Sequence, residues 1–88
     1  MTAREFEHRM LLARLRWLLT DEARGIAFRL EQDGALTAEN LAPMLMLAVT
    51  RVRPRSRLVP WHLSNAIVER MVGVVADTLI SESERDAA

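Results

Sequence analysis

Apolar residues recur at intervals of three and four along most of this chain, a period that fits helices and not the strict alternation of a half-buried strand. The first helix is signalled at once. Thr2 and Glu5 have the spacing of a capping box, so the helix starts at Ala3. Wound at about 3.6 residues per turn, Leu11, Leu12, Leu15, Leu18 and Leu19 share one face. Phe6, Met10, Ala13 and Trp17 fall on the nearly opposite face, with Arg9, Arg14 and Arg16 between the two.

The pattern changes near Thr20. A straight continuation carries Glu22 toward the leucine face, whereas Thr20-Asp21-Glu22 offers a capping hydroxyl followed by first-turn acids. Ala23, Ile26, Ala27 and Leu30 form the next periodic set. The sequence therefore predicts either one helix kinked at Thr20 or two helices meeting there. Asp33-Gly34 ends the segment, because glycine accepts the left-handed conformation that closes many helices.

Thr37 is the next cap, with Leu36 and Leu41 at the spacing of a hydrophobic staple. Pro43 complicates this start, since proline is comfortable only in a first turn, and Asn40 is a second possible origin. From Leu41 to Val49 nearly every residue is apolar, which predicts a helix buried on all sides at the centre of the fold. Pro54 and Pro60 then disfavour helix at the residues before them. Pro60 or Ser64 can begin the last helix, whose apolar set runs Ile67, Val68, Met71, Val72, Val74, Val75 and Leu79. The residues after it are polar and read as a frayed tail.

The expected fold is all-α: a small bundle of three to four helices over about 3–19, 21–33, 38–51 and 60–81. At 88 residues this is one domain, 1–80, followed by a polar, disordered tail over 81–88. Such a short chain buries roughly 60–65% of its unfolded surface, yet half of its residues are apolar. That surplus calls for cover from outside the chain, and homodimerisation is the simplest source.

With no cysteine there is neither a disulfide framework nor thiolate-bound zinc, which favours a reducing, cytoplasmic setting. The charged N-terminus has no signal-peptide character, and no apolar run is long enough to span a bilayer. All twelve basic residues are arginine and balance twelve acids to a net charge of zero. This lysine-free composition fits a GC-rich bacterial genome, and a small accessory protein of a phage or other mobile element.

Catalysis finds little material. The three glycines are scattered, and neither histidine stands at a spacing that pairs it with a serine or threonine. Glu5 and His8 form a Glu-x-x-His, the spacing found in di-iron bundles, but those sites need a second such motif and further carboxylates. Placed in the first turns, the motif reads as a solvated helix start. No catalytic residue, metal or cofactor is expected.

Two surfaces point to binding. Arg51, Arg53, Arg55 and Arg57 could hold phosphates or an acidic protein surface. Nucleic acid is the lesser reading, because the connection is longer than the three- or four-residue turn of a helix-turn-helix and the chain is not basic overall. Phe6, Met10, Ala13 and Trp17 are the stronger clue. Either the first helix is central and both of its faces are covered, or this stripe is an exposed partner or dimer interface. The sequence thus points to a non-enzymatic protein–protein interaction module, dimeric and free of membranes, acting as a regulator, adaptor or inhibitor.

Overall fold

The computed structural model describes residues 2–52 and 64–87, without the side chains of Val52 and Ala87. It contains three helices and, among the described residues, no strand: α1 (Ala3–Gln32), α2 (Ala38–Val52) and α3 (Asn65–Ala87). Each helix packs against both of the others.

α1 opens with the expected capping box. The Glu5 amide donates to the Thr2 hydroxyl at 3.2 Å, and the Thr2 amide donates to the Glu5 carboxylate at 3.4 Å. It does not break at Thr20. The segments expected over 3–19 and 21–33 are one helix of 30 residues. The Thr20 hydroxyl donates to the Arg16 carbonyl at 2.7 Å, bonding back to its own helix instead of capping a new one. The helix also survives the supposed conflict at Glu22, which is exposed, because the buried row runs Leu15, Leu19, Ala23, Ile26, Leu30. That row drifts around the helix and leaves Glu22 at its edge.

α1 closes on Gly34, at φ 67°. The Ala35 amide donates to the Leu30 carbonyl at 2.8 Å and the Gly34 amide to the Glu31 carbonyl at 3.1 Å. These are the two bonds of a Schellman closure, which needs a left-handed residue at this position.

α2 starts at Ala38, with the Asn40 amide donating to the Thr37 hydroxyl at 3.2 Å. Pro43 lies inside this helix. It removes the bond to the Glu39 carbonyl, but both residues are exposed, so water can satisfy that oxygen. α2 is not buried all round as its composition suggested. Leu41, Leu45 and Val49 face inward, while Met44 and Leu47 are exposed. Among the described residues α2 is covered on the side that faces α1 and α3.

α3 is capped by Ser64, whose hydroxyl accepts from the Ile67 amide at 3.3 Å. Residues 60–63 of the expected last helix lie outside the described residues. At its other end α3 continues to Ala87, beyond the expected end near residue 81 and through the segment read as a polar tail. Glu82 and Ser83 are half-buried there.

The core gathers one face of each helix: the α1 row, the α2 trio, and Val68, Val72, Val75, Ala76 and Leu79 of α3. No polar or charged residue is buried among the described residues. No helix of the described residues is long and apolar enough to cross a membrane.

Candidate functional site

The outer face of α1 carries a row of uncovered apolar side chains. Phe6, Met10 and Trp17 are 55%, 49% and 68% exposed, and Ala13 between them is exposed as well. Their positions lie about 150° around the helix from the buried row, on the side away from α2 and α3. Of the two arrangements open from the sequence, the described structure has the exposed one.

The stripe is also longer than its sequence signal. Phe28 is 62% exposed. Phe6, Trp17 and Phe28 follow one another at intervals of eleven residues, which is about three helical turns, so the three rings line up along one edge of a straight helix. From end to end the row covers about 33 Å. Phe28 is invisible to a reading that stops the helix at Thr20, because its phase relative to Trp17 then has no meaning. The eleven-residue interval is the signal that finds it.

Shallow grooves flank the row. Near its N-terminal end, Phe6, Glu7, Met10, Leu11 and Arg14 surround one. At the other end Phe28 and Ala27 border a groove closed by Leu36, Leu79, Glu82 and Asp86, with Arg24 and Glu31 on its rim. The last turns of α3 build that wall. On the other side of α1, Leu12, Ile67, Met71 and Val74 line a third groove with His8, Arg16 and Arg70 at its edges.

Of the arginine cluster, Arg51 is exposed in the last turn of α2, near the exposed Leu47. Arg53, Arg55 and Arg57 lie outside the described residues. Glu5 of the Glu-x-x-His is engaged in the α1 cap. Among the described residues no three of His, Cys, Asp and Glu gather at a spacing that could hold a metal ion.

No protein family, curated protein or solved structure matches the chain, so its role rests on its own residues.

Proposed function

We propose that the chain is a non-enzymatic protein–protein interaction module that works in the cytoplasm as a small regulator, adaptor or inhibitor, docking through the outer stripe of α1. The observation that carries this is the exposure of Phe6, Met10 and Trp17 in one row on one helix, extended by Phe28. Scattered surface leucines need no explanation, but aligned aromatic and methionine side chains are enriched where proteins meet. A helix edge of this kind suits a partner helix laid along it, with large side chains at intervals of three and four entering the spaces between turns.

Photocrosslinking tests the reading. With p-benzoylphenylalanine placed at position 17, irradiation of producing cells is expected to yield a discrete protein adduct. The same residue at position 22, exposed but off the stripe, is expected to yield none. Equal labelling at the two positions overturns the proposal.

A further inference from the structure

We infer that the groove between the N-terminal half of α1 and the first turns of α3 docks an acidic amphipathic helix of another protein, on a surface separate from the α1 stripe and additional to it. Leu12 of α1 and Ile67, Met71 and Val74 of α3 form its floor. His8, Arg16 and Arg70 stand at its edges. All three edge residues are exposed, and so is Val74, at 44%. Among the described residues, none of α2 lines this groove.

The shape fits a helix. α1 and α3 run in the same direction, because residues 8–16 lie beside 67–74 in this groove and residues 24–31 lie beside 79–86 in the one at the other end. α2 already packs against both of them, with Leu41, Leu45 and Val49 buried. The pair therefore stands at a spacing that seats a further helix. Along α1 the groove runs from His8 to Arg16, about 12 Å or just over two turns. Apolar side chains at intervals of three and four on an incoming helix can enter it. Nucleic-acid bases fit less well, because the aliphatic and thioether floor offers their polar edges no hydrogen bond.

Charge decides what flanks that apolar stripe. Among the described residues no acid lines the groove. Arg9 stands on the same flank of α1 as Arg16, about two turns before it. Of the nearby acids, Glu5 is engaged in the α1 cap. Glu69 lies about 160° around α3 from Met71 of the floor. Positive charge therefore runs along both edges and is answered by acids on either side of an incoming apolar stripe. The groove at the other end of α1 and α3 has the opposite sign, with Glu31, Glu82 and Asp86 against Arg24. The chain's own segment 53–63 carries three arginines and no acid, the wrong sign for these edges.

The probe is a fluorescein-labelled helical peptide of about 20 residues, with leucines at intervals of three and four and glutamates on both flanks. Its counterpart carries lysine in place of each glutamate. Fluorescence anisotropy at low salt is expected to show binding of the glutamate peptide and binding of the lysine peptide weaker by about 10-fold or more. Arg16→Glu combined with Arg70→Glu should reverse that preference. Val74→Glu should weaken binding by about 10-fold or more, with the helical circular dichroism unchanged in both variants. Trp17→Glu and Arg24→Glu, which lie outside the groove, should leave binding as it was. Failure of the glutamate peptide to bind, equal binding of the two peptides, or a preference that survives reversal at 16 and 70 overturns the inference. Binding lost with Trp17→Glu and kept with Val74→Glu also overturns it, moving the peptide to the α1 stripe and leaving the interaction reading above in place. Displacement of the peptide by an oligonucleotide at lower concentration, or self-association of the chain that the double substitution abolishes, gives the groove to another occupant and overturns it as well.

Discussion

Leu19 and Trp17 sit two residues apart on α1 and should respond to truncation in opposite ways. Leu19 is 2% exposed within the core, whereas Trp17 is 68% exposed. Leu19→Ala removes buried carbons and leaves a cavity enclosed by three helices, a change that costs about 2–5 kcal/mol. A domain of this length has a total stability of about 4–13 kcal/mol, so the variant loses a large share of it. Its midpoint should fall by about 10–25 °C. Trp17→Ala removes a larger side chain from a place where it touches mainly water, and alanine is the better helix former. Its cost should stay within about 0.5 kcal/mol. Urea unfolding followed by circular dichroism measures both. The comparison belongs at low micromolar concentration, because association stabilises the folded chain by mass action and would lend Trp17 an apparent role in the fold. A loss of less than about 1 kcal/mol for Leu19→Ala would falsify the assignment of the α1 faces. So would a loss above about 2 kcal/mol for Trp17→Ala in the monomer.

Asp21→Pro separates a continuous α1 from two helices meeting at Thr20: proline is tolerated as the first residue of a helix but costs about 3 kcal/mol or more in an interior, and chemical unfolding should show that loss. Gly25 and Gly73 lie inside helices with open space around a built Cβ, so alanine at either should add up to about 1 kcal/mol; a lowered midpoint in thermal melts would count against those placements. Gly34→Ala should go the other way and cost about 1 kcal/mol, because φ is 67° there. Ser64→Ala should cost about 1 kcal/mol by removing the α3 cap, and unchanged stability would move the start of that helix elsewhere.

The all-helical fold was legible in the sequence because its cues act over one or two turns. The Thr2–Glu5 box, the Thr37 cap and the glycine at position 34 are local devices, and each is found where the residue pattern puts it. The opposition of Leu15 and Leu19 to Phe6, Met10 and Trp17 was equally legible, since it follows from helical phase alone. Continuity through Thr20 was not. A threonine followed by two acids can cap a helix or ride inside one, and what favours riding inside is the burial of Ala23 and Ile26 against α2 and α3.

Local pattern thus determined where helices form, which residues share a face, and that α1 carries more apolar surface than one core face needs. Tertiary structure decided which of those faces is covered. α2 is apolar nearly all round yet buried on one side, because two neighbours can enclose only that much of a helix. The polar residues after Leu79 remain helical, and Glu82 and Ser83 there are half-buried. The stripe on α1 is exposed for the same geometric reason: among the described residues α2 and α3 both lie on its leucine side, and the far side of the helix is left uncovered.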